Sequence, residues 1–112
     1  MSFVLDASIT LCWCFEDEGS RYSDAVLEAL KISAAFVPSL WPLEIANGLL
    51  IGERRERLTP FRSAQFLILL HQLPIQVDNA VDIGSAEQLL LLGRKYKLTS
   101  YDALYLSLAM QK

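Results

Sequence analysis

Phe3-Val4-Leu5-Asp6-Ala7-Ser8 is the stretch on which the fold reading turns. Three apolar residues run straight into a carboxylate. A short apolar run bounded in this way predicts a strand buried on both faces, the habit of a parallel sheet. Asp6 then falls where the strand ends and a helix begins. In open α/β sheets ligands bind outside that carboxyl edge. The plainer reading is that Asp6 caps the following helix, because Asp is a favoured N-cap residue. Taken alone the stretch supports the cap; acids further along the chain shift the balance.

From Asp6 onward the apolar spacing alternates between the two regular periods. A short helix is predicted over residues 7–15, with Leu11 and Phe15 at helical spacing, then an acidic turn at Glu16-Asp17-Glu18 to which no function is assigned. Tyr22, Val26, Leu27 and Leu30 mark an amphipathic helix over residues 22–32, and Ala34-Ala35-Phe36-Val37 a second strand that Pro38 ends. Pro42 fits the first turn of a third helix running through Leu50 or beyond, where its missing N–H costs nothing. Thr59-Pro60 reads as N-cap and first position of a fourth helix ending near Leu73. Ile75-Gln76-Val77 is a third strand, followed by a helix over residues 80–96 and a last one over residues 101–110. The apolar run Leu89 to Leu92 covers more than one helical face, which predicts packing on two sides or a subunit contact. The order β-α-α-β-α-α-β-α-α implies an α/β fold with a parallel sheet flanked by helices.

Composition narrows the class. A chain of 112 residues, 53% of them hydrophobic and 21% charged, is read as one domain over residues 1–112. No apolar run approaches the roughly 18 residues of a membrane span. The N-terminus lacks a basic region, and Asp6 interrupts the one apolar run near it, so a signal peptide is not expected and the location is read as cytoplasmic. Cys12 and Cys14, two apart, do not face each other on a helix and read as reduced packing residues. A net charge of −3 argues against binding nucleic acid through a broad basic face.

Sequence fingerprints for phosphate-binding loops and hydrolase serines are absent: there is no G-x-x-x-x-G-K-[ST], no G-x-G-x-x-G and no G-x-S-x-G. Ser8 stands where a phospho-aspartate hydrolase would want a second Asp. What remains is a set of acids at element starts, Asp6, Glu44 and Asp102, each with polar company: Ser8, Asn47, and Thr99 with Ser100. Singly, each is explained as a helix-start acid, a placement that stabilises by about 0.3–1 kcal/mol. Converging, three carboxylates would repel one another unless a cation lay between them. Oxygen-only donors, without suitable Cys or His, point to Mg²⁺ or Mn²⁺ rather than Zn²⁺. Such a site activates water and neutralises charge growing on a phosphodiester.

Those residues carry a resemblance. Phe3-Val4-Leu5-Asp6-Ala7-Ser8, Trp41-Pro42-Leu43-Glu44-Ile45-Ala46-Asn47 and Leu98-Thr99-Ser100-Tyr101-Asp102-Ala103-Leu104-Tyr105 resemble PIN-domain ribonucleases, most of all the VapC-type toxins of toxin–antitoxin pairs. The resemblance spans the chain in order. It implies a three-layer PIN-like fold and a Mg²⁺- or Mn²⁺-dependent endoribonuclease that hydrolyses RNA. It also implies a homodimer and a cognate antitoxin whose tail blocks the acidic pocket. The family's metal-binding acids fall on Asp6, Glu44 and Asp102, with Ser8, Asn47 and Ser100 as supporting polar residues. Family members usually continue into a further strand and a fourth acid, so the chain, ending at Lys112, is read as C-terminally truncated relative to the pattern. That departure leaves a second reading open: a catalytically impaired remnant that dimerises or binds antitoxin. A DNA-directed nuclease on the same fold is a third.

Two basic clusters, Arg54-Arg55-Arg57 and Arg94-Lys95-Lys97, would contact phosphate if functional but are read as solvated helix ends. His71 is read as a core or surface residue rather than a base, and Trp13, Trp41 and the tyrosines as core.

Overall fold

Strands and helices alternate along the chain as their periodicity predicts. The computed structural model describes residues 2–78 and 82–111. Its elements are β1 (Ser2–Val4), α1 (Ala7–Cys12), a 3₁₀ turn (Glu16–Glu18), α2 (Arg21–Ala29), β2 (Ala34–Pro38), α3 (Trp41–Arg54), α4 (Pro60–His71), β3 (Ile75–Asp78), α5 (Ser85–Tyr96) and α6 (Ser100–Gln111). The three strands form one parallel sheet in the order β1-β2-β3. Phe3 pairs with Ala35 and Val4 with Phe36, while Val37 pairs with Val77. The result is a three-stranded parallel sheet flanked by six helices.

The centre of the sheet is β2, and there the expectation for the first stretch needs correction. Ala35 and Val37 of β2 are fully buried, but Ser2 is exposed and Phe3 and Val4 only half-buried. Among the described strands β1 has one neighbour, so only part of it is covered. Its contribution to the core comes from Leu5, just past the strand, which is 1% exposed. Leu5 joins Ala7, Phe15, Leu30, Ala35, Val37, Trp41, Ile45, Leu49, Phe66 and Leu70 in one continuous core. The Trp41 indole N–H lies buried in it without a partner.

Local chemistry fixes most element boundaries. Thr59 Oγ1 accepts the Arg62 amide at 3.2 Å and Pro60 opens α4, as Thr59-Pro60 predicts. Ser20 and Ser23 cap α2 reciprocally: Ser20 Oγ accepts from the Ser23 amide at 3.0 Å and Ser23 Oγ from the Ser20 amide at 2.9 Å. α1 stops at Cys12 instead of continuing to residue 15, because the chain turns to place Phe15 in the core and the Trp13 indole donates to the Ser23 carbonyl at 2.8 Å. The acidic turn that follows is tied down: Arg57 donates to Asp17 and Glu18, both at 2.7 Å, and lies 4.6 Å above the Phe15 ring centroid. α5 begins at Ser85, not at residue 80, and the expected start at Ala80 lies outside the described residues. Of the run Leu89 to Leu92, Leu92 is buried while Leu90 and Leu91 point to solvent.

α1 packs on α3, and α6 lies against β1 and β2 with α5 beside it. Two glycines let α1 and the loop after it approach α3 closely. A Cβ on Gly48 would run into the Leu11 side chain, and one on Gly52 would meet the Phe15 ring at 2.7 Å. This contact matters because α1 follows Asp6 and α3 carries Glu44.

Candidate active site

The three sequence-predicted acids reach their places by three local devices. Asp6 is the N-cap of α1, its carboxylate accepting the Ser8 amide at 3.2 Å and the Ser8 hydroxyl at 3.0 Å. The cap reading is therefore correct and does not compete with a functional one, since capping holds the exposed carboxylate at the end of the strand. Glu44 sits in the first turn of α3, which Pro42 helps to open. Asp102 sits in the first turn of α6, its amide donating to Thr99 Oγ1 at 3.2 Å. All three stand at the positive ends of helices, where a carboxylate is favoured.

Asp6, Glu44 and Asp102 line one open cleft of about 340 Å³, together with Val4, Tyr101, Tyr105, Leu106 and Ala109. Its walls carry carboxylates and no basic side chain. Of the supporting polar residues, Ser8 is brought to the site through its bonds to Asp6. Asn47 is exposed on α3 and is not part of the cleft wall, although three residues after Glu44 is the same helical face. Ser100 lies instead beside the apolar groove of α5, with Leu89, Leu90 and Leu98.

Sequence reasoning gave Tyr105 no role at the site. Its hydroxyl donates to Glu44 Oε1 at 2.5 Å, between positions 61 residues apart. Burial pushes this hydroxyl well above the usual tyrosine range. The hydrogen bond to Glu44, the Glu44 charge and the Asp6 charge push in the same direction, while a backbone hydrogen bond from Ala7 opposes them. The same hydroxyl thus feels the charges of Asp6 and Glu44 together. The signal for it was spacing: Asp102 and Tyr105, three apart, share a face of α6.

Whether these residues suit a divalent cation is a question of donor chemistry and distance. Among the described residues, no three His, Cys, Asp or Glu side chains stand close enough to hold one metal ion between them. The donors in the cleft are nevertheless all oxygens, the ligands of hard cations. Mg²⁺ keeps several waters and is commonly held by only one or two carboxylates. Asp6 and Glu44, which act on one hydroxyl, fit such a cation, with Asp102 on the same wall.

The other candidates fall outside the cleft. Arg54 ends α3 and Arg94 and Lys95 lie in the last turn of α5, where positive charge complements the helix dipole. His71 is exposed at the end of α4. Both cysteines are free, and burial raises the Cys14 thiol against the opposing charge of Arg62.

The chain is thus a parallel α/β sheet with three carboxylates lining one cleft beside the carboxyl end of its first strand. The family follows from comparison: the PIN domain model matches residues 3–112, and the chain belongs to the PIN-domain family. No curated protein matches it. PIN domains are in general metal-dependent nucleases, so a nucleic-acid substrate and a divalent metal are the family's general properties. No helix among the described residues is long and apolar enough to cross a membrane.

Proposed function

We propose that the chain is a Mg²⁺- or Mn²⁺-dependent endoribonuclease, the toxin component of a VapC-type toxin–antitoxin pair, acting in the cytoplasm. The observation that carries this reading is the cleft wall itself: Asp6, Glu44 and Asp102 converge there with no basic residue among them. A phosphodiester cannot approach such a wall unless cations neutralise it. Asp6 and Glu44 would hold the cation, with Asp102 on the same wall. When bound, it would activate a water for attack and stabilise the charge that grows on the phosphate. Ser8 holds the Asp6 carboxylate at the end of the first strand, and Tyr101 and Leu106 line the cleft beside it.

The homodimer and the antitoxin belong to the same proposal. Exposed Leu90 and Leu91 on α5 supply apolar surface of the kind a subunit contact covers, and two unpaired cysteines suit a reducing compartment. The antitoxin rests on the sequence resemblance.

The test is cleavage of a cellular RNA pool with Mn²⁺ by the chain and its Asp6→Asn variant, with DNA of matched sequence alongside. Cleavage of RNA that disappears in the variant supports the reading. Cleavage that persists removes Asp6 from the site, and preference for DNA moves the substrate class. A second reading draws on the absence of a ready three-residue metal cluster among the described residues. It takes the chain as a catalytically impaired PIN fold that dimerises or binds antitoxin. Calorimetric binding of Mn²⁺ in the micromolar range would count against it.

A further inference from the structure

Among the described residues that line the cleft, Tyr105 commits its hydroxyl to an acid of the site. Its hydroxyl donates to Glu44 Oε1 at 2.5 Å. One phenol thereby joins α6, which carries Asp102, to α3, which carries Glu44. A carboxylate has two oxygens and about four lone-pair sites. With Oε1 engaged, the Glu44 side chain gives up its rotation, and Oε2 and the free lone pairs of Oε1 stay available to the cleft. The donated proton also offsets part of the repulsion between Glu44 and Asp6.

We infer that Tyr105 is a positioning residue for the cation site, presetting the Glu44 carboxylate beside Asp6 by the Tyr105 hydroxyl to Glu44 Oε1 hydrogen bond. This rests on the proposed metal-dependent reading of the cleft. Groups that hydrogen-bond metal ligands set ligand orientation, and their loss typically weakens metal affinity about 10–100-fold. Tyr105 makes no contact with substrate in this account; it acts through Glu44.

The experiment is Mn²⁺ binding by calorimetry, at one pH, to the unaltered chain and to Tyr105→Phe, Glu44→Gln and the double variant, with thermal unfolding of each. Tyr105→Phe is expected to weaken Mn²⁺ binding about tenfold or more, and to change it little once Glu44 is already Gln. Equal Mn²⁺ affinity in Tyr105→Phe and the unaltered chain overturns the inference and leaves the metal site standing. An equal loss in the Glu44→Gln background also overturns it, because Tyr105 would then act by another route. Failure of the unaltered chain to bind Mn²⁺ overturns the proposed function itself, and the inference with it. A measurement independent of how Tyr105→Phe folds is the near-UV difference spectrum of a chain carrying Tyr22→Phe, Tyr96→Phe and Tyr101→Phe, which leaves Tyr105 as its one tyrosine. Mn²⁺ is expected to perturb the remaining tyrosine absorbance, and no change would overturn the inference.

Discussion

Two chemically identical substitutions on α3, Gly48→Ala and Gly52→Ala, are expected to move stability in different directions. Each gains about 1 kcal/mol of helix propensity, the ordinary difference between Ala and Gly in a helix interior. What differs is the neighbour that the new methyl meets. At Gly48 it meets the outer carbons of Leu11, a half-buried, flexible side chain able to turn aside. At Gly52 it meets Cζ of Phe15 at 2.7 Å and Cε1 at 2.8 Å. That ring is rigid, 7% exposed, and covered by the Arg57 guanidinium, so it has nowhere to retreat. Overpacking of this kind costs about 1–3 kcal/mol. Gly48→Ala should therefore lie between neutral and about 1 kcal/mol more stable. Gly52→Ala should be about 1 kcal/mol less stable than the unaltered chain. Urea unfolding with a shared slope measures the gap, and thermal melts should show roughly 4 °C per kcal/mol for a domain near this size. In a Phe15→Leu background the Gly52→Ala penalty should vanish, since the obstructing ring is gone. Equal stability of the two alanine variants, or a penalty at Gly52 that survives Phe15→Leu, would refute the close-approach reasoning.

Glu56 adopts φ 58, the left-handed region, without the glycine that normally accepts it. Glu56→Gly should stabilise the chain by about 1 kcal/mol, measured by the urea midpoint. Ser63, 7% exposed, donates to Glu53 Oε2 at 2.6 Å, so Ser63→Ala should cost about 1 kcal/mol in the same assay. Burial raises the Cys14 thiol in the folded chain, so its contribution to stability is fully present below the unfolded thiol value and fades as pH rises. Above about pH 8.5 the stability of the unaltered chain should fall more steeply than that of Cys14→Ala. For the same reason iodoacetamide should label Cys12 before Cys14, as peptide mass spectrometry of partly labelled protein would show.

Period and punctuation carried most of the fold. Thr59 and Pro60 fall at the start of α4 as their capping chemistry requires, and Pro38 closes β2. What periodicity lacks is lateral order. The run Phe3-Val4-Leu5 reads the same for a central strand and for an edge, and only the pairing with β2 shows that β2 holds the centre. Likewise the helical pattern through Leu11 and Phe15 gave no sign that the chain would turn after Cys12, because the pull on Phe15 comes from residues far along the chain, Gly52 and Arg57. The acids of the candidate site were legible since each sits beside its own cap or helix start. Their spatial relation was not: spacing alone puts Asn47 and Glu44 on one face, yet Asn47 faces solvent away from the cleft wall. Spacing puts Tyr105 on the Asp102 face of α6, but its partner Glu44 lies 61 positions away, beyond the reach of local pattern.

That tie has a bearing on the order in which the molecule assembles. Asp6 and Glu44 belong to the first half of the chain, and their strand and helices make local contacts early. The hydroxyl that holds Glu44 arrives on α6, 61 positions later. A contact of such separation closes a long loop, and its entropic cost delays it relative to local helix formation. A ribosome-bound chain synthesised from the N-terminus would thus hold a folded scaffold with a loosely arranged acidic cleft until α6 docks. Hydrogen exchange should show the same hierarchy in the finished protein, with the amides of α6 opening at lower free energy than those of β2 and each opening loosening the acids together. The cleft is therefore expected to be set once α6 docks and to loosen when α6 opens.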